Sequence, residues 1–462
     1  MFLGAACLKR SVLALALGLW AIVNLTACGS SSNSGPPSRL TKRVLVSQGV
    51  RSTTVIGDLI FVNGLNDTLA RVSPLSAGSS PNRMALSPTR NIVAAFDTTS
   101  NQIFASDTTK ETSLGSGNGV QLAGPTSSFI IPTADPVAYA AVPGAVFNGY
   151  PILGAVQMLN LSSGSVSSTM AVNKAQTVVA TATGSQLLVF SNDSDSITVL
   201  TPGVAVPGVD LSCVDPNNPT PNAVCQVVPG FNRPVNAILN GTTAYILNCG
   251  FECGGTQQAS IQTLDLNSLT TPAPIIGTPL PVNGATDALL YGTSLYVTGR
   301  GTPTGPLCSS FSNAAQTAAT YCGFLDVVDL TTMTDPYFNN PTLEIAIPDG
   351  YHDRMDLSSN GQLFLGSHGC EDVGDVNNPS GEVRGCLAIL DINKGTIVFP
   401  PVNGSVDGLQ SFTTRNVEYV AENGVLYVYD TTKDVLLINN FLPLGTITVV
   451  GYASDVKAID FF

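Results

Sequence analysis

Short apolar runs alternate with polar turns along almost the whole chain, and no stretch of a dozen residues keeps a helical apolar period. Runs such as Leu295-Tyr296-Val297-Thr298 are rich in β-branched and aromatic side chains and are closed by Gly, Asn, Asp or Ser, which predicts strands joined by tight turns. The runs fall into units. Asn82-Arg83-Met84-Ala85-Leu86-Ser87 returns 271 residues later as Asp353-Arg354-Met355-Asp356-Leu357-Ser358. Each copy opens a longer unit with a first strand, a turn, a second strand, and a third that often ends in Asp.

A unit of about 40–60 residues made only of strands cannot bury its own apolar faces and must stack on its neighbours. Eight segments read as the innermost strand of such a unit, beginning near Arg83, Ser127, Gln176, Asn236, Asp287, Arg354, Asp407 and Asp455. Second strands are predicted at 92–96, 137–142, 187–190, 244–247, 295–298, 363–366 and 417–420, and third strands at 261–266, 325–330, 387–392 and 425–430. The eighth inner strand, 455–462, ends the chain with nothing after it. Its missing partners stand at the other end, at 43–47, 59–62 and 68–72. Pairing the two ends removes open sheet edges and closes a ring. The expectation is an all-β chain, a single β-propeller of four-stranded blades over 43–462. Eight blades are expected, with seven the alternative because 201–234 is rich in Pro and Asn.

Pro81-Asn82-Arg83-Met84-Ala85-Leu86-Ser87-Pro88 resembles the inner-strand consensus of the YVTN and WD40-like propeller families, and Leu295-Tyr296-Val297-Thr298-Gly299 resembles their second strand. Those families include bacterial surface proteins and lactonase-like enzymes. No unit carries a terminal Trp-Asp dipeptide. The resemblance therefore implies a fold, not an activity.

The N-terminus reads as an address. Lys9 and Arg10 precede an apolar stretch of 13 residues from Ser11 to Val23, too short to span a bilayer. Leu25-Thr26-Ala27-Cys28 resembles the lipobox of bacterial lipoproteins, in which Cys28 is acylated and becomes the mature N-terminus. This divides the chain into a signal peptide (1–27), a lipidated Cys with a Ser/Gly/Pro tether (28–42) and the propeller. It implies an exported protein anchored to a bacterial membrane through its lipid. In a Gram-negative cell, Gly29 after that Cys favours the outer membrane. Losing Lys9 and Arg10 takes the formal net charge from −13 to −15. So acidic a surface repels phosphate backbones and excludes nucleic acid as a partner.

Apart from Cys7 and Cys28, eight cysteines fall into neighbouring pairs: Cys213 with Cys225, Cys249 with Cys253, Cys308 with Cys322, and Cys370 with Cys386. Each pair closes a short loop rich in Gly, Pro, Asn or Ser, and an exported chain meets an oxidising compartment, so local disulfides are expected. Zinc is the rival reading, but no His follows at finger spacing.

Chemistry is sparsely marked. The chain lacks a G-x-S-x-G elbow, a Gly-rich phosphate loop with Lys, an H-E-x-x-H helix and an EF-hand loop. The lone Trp20 leaves with the signal, which excludes Trp-rich quinone-cofactor and Asp-box propellers. Two histidines do not furnish a copper or multi-haem site. Both sit in one unit, His352 before an inner strand and His368 after the next, beside Asp353 and Arg354. If the protein is an enzyme, these four are the catalytic candidates, since His with a carboxylate is a general base and His with acids holds a divalent metal. Glu371, Asp372, Asp375 and Glu382 offer hard oxygen donors suited to Ca²⁺ or another divalent metal, although their spacing matches no known loop. Asp265, Asp329, Asp391 and Asp430 recur at the ends of third strands and read as turn caps. Three of the cysteine pairs fall in loops on one face of successive blades, and stiffened loops side by side make a recognition surface. The expectation is a non-enzymatic binding or scaffold protein of the cell envelope, without a cofactor, whose partner is an envelope protein or a polysaccharide. The alternative is a metal-dependent hydrolase or lactonase-like enzyme with its site at the channel mouth.

Overall fold

In the computed structural model the described residues form eight blade sheets around a common axis, antiparallel but for one pairing, and one two-stranded ribbon, Val373–Gly374 with Val383–Arg384. The structure describes residues 37–460, apart from 50–56, 148–149, 204–207, 212, 215–222, 271–272, 301–322, 341, 344, 349, 371–372, 375–382, 385, 401, 403 and 433–442. Residues from Leu40 onward form one compact unit.

Blade one joins the two ends of the unit. Its inner strand, Tyr452–Ala458, pairs with Arg43–Gly49, followed outward by Asp58–Asn63 and the short strands Thr68–Leu69 and Leu75–Ser76. The other inner strands are Pro81–Leu86 (blade two), Ser128–Ile130 (three), Ala175–Ala180 (four), Pro234–Asn240 (five), Asp287–Tyr291 (six), Tyr351–Leu357 (seven) and Val406–Phe412 (eight). Each is followed outward by its own second and third strands, with short 3₁₀ turns the main other regular element.

The apolar pattern explains the count. In Ile92–Asp97, Ile92, Ala94 and Phe96 pack toward blade three, while Val93 and Ala95 pack toward blade one. A strand with a period of two and both faces buried must lie between two neighbours. Eight apolar clusters result, one at every junction around the ring. The cluster between blades eight and one joins Phe412, Tyr419 and Val428 to Val44, Val46, Ala453 and Val456, so the ends are held by core packing as well as by pairing. This settles the count at eight. The 201–234 region supplies the outer strand of blade four, Ala223–Pro229. It also sends Val209–Asp210 across to pair in parallel with the outer strand of blade three, Ser165–Ala171.

The turn acids behave as caps. Oδ1 of Asp265, Asp329, Asp391 and Asp430 each accepts the backbone N–H two residues on, at 2.8–3.0 Å. Asp107 does the same in blade two, and although burial opposes it, bonds from Thr109 and Lys110 hold its carboxyl down at about 2. Disulfides join Cys213 to Cys225, Cys249 to Cys253 and Cys370 to Cys386, with Cα atoms 5.2, 5.6 and 5.7 Å apart. The Cys308/Cys322 pair lies outside the described residues, as do Cys28 and the acids Glu371, Asp372, Asp375 and Glu382.

Candidate functional site at the channel mouth

Inner strands line the channel, and most carry the same irregularity. In blade seven, His352 pairs with Ser367 and Arg354 with Gly366, so Asp353 is left as a bulge. Register shifts at the corresponding point leave out Ser454, Gln176, Val235 and Asp407 in blades one, four, five and eight, and lie between Pro81 and Met84 in blade two. A bulge bends its strand and re-aims the extra side chain. Three of the residues left out of register, Gln176, Val235 and Asp353, come together at one end of the channel.

That end holds a cavity of about 610 Å³. Arg83, Ser127, Gln176, Asn236, Asp287 and Arg354, six of the eight residues that head the predicted inner strands, line it together with Asn82, Tyr351 and Asp353. A second cavity of about 320 Å³ adjoins it and shares Gln176, Thr177, Val235 and Tyr351. The bridged loop of Cys249–Cys253 reaches the same face, since Cys253 lines the second cavity.

Asp353 organises the charges. Its Oδ2 accepts from Arg83 Nη2 at 2.8 Å, across from blade two, and from Arg354 Nη1 at 2.9 Å. Its Oδ1 lies 3.3 Å from His368 Nε2. His368 Nδ1 in turn lies 3.9 Å from Asp407 Oδ1, while the Tyr452 hydroxyl donates to Asp407 Oδ2 at 2.8 Å. Arg83 also donates to the Ser127 carbonyl, and Arg354 Nε to the Asp407 carbonyl. The two repeat-equivalent arginines are thus tied to one carboxylate and to the inner strands of blades three and eight.

Desolvation sets the protonation states. Asp287 Oδ1 accepts the Ala288 N–H at 2.9 Å, but enclosure by the ring, then the nearby Asp353 charge, pushes its carboxyl up to about 7. Its surface is half-buried rather than sealed, because a narrow channel admits water while surrounding the group with protein. Tyr351 is pushed up to about 12 by burial and by Asp353 and Asp287, and stays a protonated donor. Burial also raises the Asp407 carboxyl, against the Tyr452 hydrogen bond. Burial opposes the charge of Arg354, but Asp353, Asp455, Asp287 and Asp407 outweigh it and hold the guanidinium above its ordinary value.

The four catalytic candidates of the sequence divide. Asp353, Arg354 and His368 share the network, and Asp353 and Arg354 line the cavity. His352 does not join them. Because the bulge at Asp353 breaks the strand alternation, it faces blade six, where its carbonyl accepts from Thr286 and it is 2% exposed. Its Nε2 donates to the Pro348 carbonyl at 2.8 Å, and Nδ1 has no hydrogen-bond partner among the described residues. It packs over Gly323, where a Cβ would stand 2.6 Å from His352 Cε1 and 2.2 Å from the Pro348 oxygen. Burial lowers its pKa to about 4, so the ring is a neutral wedge between blades. Among the described residues no group of three or more His, Cys, Asp or Glu side chains is placed to hold a metal ion.

The sequence reading did not single out Arg83, Asp287, Tyr351 or Asn236 as site residues. The signal was present: each is a polar or amphipathic residue near the head of an inner strand.

No family model matches the chain, and a search of curated proteins found no match. Among solved structures, the dihydro-heme d1 dehydrogenase NirN superposes with a TM-score of 0.57 at 10% identity, covering 91% of this chain and 76% of that one. Apo AztD from Citrobacter koseri gives 0.47 at 13% identity, with 90% and 97% covered. The periplasmic gluconolactonase PpgL of Pseudomonas aeruginosa gives 0.40 at 13% identity, with 90% and 98% covered. At such identities the likeness is one of fold alone.

Proposed function

We propose that the chain is an exported, lipid-anchored binding protein of the cell envelope, and that the channel mouth on the bridged-loop face is its ligand site. One observation carries the reading. Six polar residues from six blades converge on a single cavity of a size usual for ligand sites. They do so at the expense of stability, since Asp287 and Arg354 are held in a partly desolvated ring where apolar side chains would pack at no such cost. Export and anchoring rest on the signal, the Cys28 lipobox and the local disulfides.

The hydrolytic alternative has one observation in its favour, the His368–Asp353 pair. Both nitrogens of that ring face carboxylates, however, and the cavity lining contains neither histidine. The binding reading is the better supported.

Full-length protein in detergent is incubated with envelope extract, and what it retains is identified by mass spectrometry. Thr177 lines both cavities, so Thr177→Trp fills their junction. The wild type should retain a ligand that Thr177→Trp loses. A capping-side control on the opposite face, Thr331→Ala, should keep it. Equal retention by Thr177→Trp overturns the site. Intact mass of the mature N-terminus tests the anchor: an unmodified Cys28, or a different start, removes it.

A further inference from the structure

We propose that the channel-mouth site takes a neutral glycan in extended form, with one sugar ring in each of the two adjoining cavities and Tyr351 as the platform between them. The inference rests on the reading of this mouth as the ligand site.

Three features of the two cavities point to that class. The first is the lining. Asn82, Gln176 and Asn236 present side-chain amides, and Ser127, Thr126 and Thr177 present hydroxyls. The Ser127 and Thr126 hydroxyls donate to backbone carbonyls and keep lone pairs to accept with, and the Asn236 oxygen accepts the Ala237 N–H, so the amides supply most of the donors and the hydroxyls acceptors. Together they match sugar hydroxyls, which must both donate and accept when they leave water. Asp287, with a carboxyl that exists in both forms near neutral pH, extends this two-way capacity.

The second is charge balance. The arginines that line the larger cavity are both engaged by one carboxylate, at 2.8 and 2.9 Å. The second cavity adds one residue of each sign, Arg233 and Asp193, and the carboxyls of Asp287 and Asp407, raised by burial, stand beside the two arginines, on a chain of formal net charge −13. The site offers an anion no surplus positive field, so a phosphate or polycarboxylate ligand is disfavoured. A peptide is usually held by apolar anchors in desolvated pockets, whereas the apolar lining of the two cavities, chiefly Phe96, Phe190, two prolines and three valines, is spread among more numerous polar groups.

The third is Tyr351. It lines both cavities, and despite its enclosed position it keeps 43% of its surface exposed. An amphipathic ring at a junction serves a ligand that is apolar on one face and polar at its edge. The C–H face of a pyranose against the ring, with its hydroxyls toward the amides, fits that description. Two cavities meeting at one aromatic residue imply at least two linked rings.

The test is calorimetric titration of full-length protein, in a detergent without sugar headgroups. The probes are glucose and N-acetylglucosamine and their β-1,4- and α-1,4-linked oligomers up to tetrasaccharides, with a set of neutral tetrapeptides alongside. At least one oligosaccharide series should bind, with a disaccharide at least about tenfold tighter than its monomer. Tyr351→Ala should weaken that binding about tenfold, while Tyr351→Phe, which keeps the ring, should stay within about twofold. Thr177→Trp should abolish it with the melting temperature unchanged. The class is overturned if no saccharide binds, if binding ignores both Tyr351→Ala and Thr177→Trp, or if only the peptides bind. If the saccharides fail while Thr177→Trp still loses the envelope ligand, the ligand site stands and the glycan falls. If that ligand is unaffected as well, the site itself is wrong.

Discussion

Arg43 is the residue on which ring closure can be measured. Its side chain is 8% exposed. Nε and Nη2 donate to the two carboxylate oxygens of Asp460 at 2.8 Å each, and its backbone N–H donates to Oδ2 at 2.8 Å. Nη1 reaches Glu111 of blade two at 3.0 Å and also donates to the Thr108 carbonyl. One guanidinium therefore ties the first strand of the unit to its last described residue, 417 positions away, and to the next blade. Arg43→Met keeps most of the stem but strands two carboxylates and a carbonyl. Breaking a buried pair from one side costs about 3–5 kcal/mol. The Asp460 side chain is 22% exposed, so water takes up part of the loss. An effect of about 3 kcal/mol is expected. With about 2.1 cal/mol/K of unfolding entropy per residue over roughly 420 residues, that lowers the melting temperature by about 3 °C.

Calorimetry and urea titration read the loss, and a double-mutant cycle assigns it. Asp460→Asn alone should cost less, because Glu111 and Thr108 still satisfy part of the guanidinium. Combined with Arg43→Met it should add little, leaving a coupling of about 1–2 kcal/mol. If Arg43→Met melts with the wild type, or the two losses simply add, the guanidinium is not a closing clip and the ring is held by strand pairing and core packing alone.

Deleting residues 453–462 removes most of the inner strand of blade one and uncovers the edge of Arg43–Gly49, so the cooperative melt should disappear; a truncated chain that melts like the full one refutes closure. Two carboxyls set a pH dependence: folding raises Asp287 from 3.8 to about 7, with Asp353, Arg354 and Arg83 around it, and Glu422 from 4.5 to about 9, near Asp407. The folded state then binds more protons than the unfolded one, so their contribution is fully present below about pH 4 and is lost as pH rises through about 7 and then about 9. Asp287→Asn and Glu422→Gln should flatten that decline in urea titrations across the range; an unchanged slope contradicts it. A non-reducing peptide map should join Cys213 to Cys225, Cys249 to Cys253 and Cys370 to Cys386, and a crosslink between blades would be inconsistent with these short loops.

The propeller was legible because its information is local and repeated. A strand such as Ile92–Asp97 shows its period of two within six residues, and an inner strand with no successor, 455–462, calls for partners at the other terminus. Blade four was harder. Its outer strand, Ala223–Pro229, follows a crossing to blade three at Val209–Asp210, and that parallel pairing depends on where blade three stands, which no local pattern encodes.

The site was half legible, and the bulge marks the limit. Sequence proximity placed His352, Asp353, Arg354 and His368 together. In a regular strand His352 and Arg354 would share one face, with Asp353 on the other. The pairing skips Asp353, so the alternation breaks there: Asp353 and Arg354 both reach the cavity, and His352 is left facing blade six. Bulges are set by register between two strands, not by the composition of either. What the sequence does display is the mismatch at the heads of the inner strands. A Ser, a Gln, an Asn, an Asp and two Arg stand where packing alone would place apolar residues, and ring geometry carries each such mismatch to the same cavity. A single polar residue there would be a local accident. Six at one place in six blades form a surface that the fold assembles by closing, so Arg43 and Asp460, far along the chain from the cavity, belong to its construction.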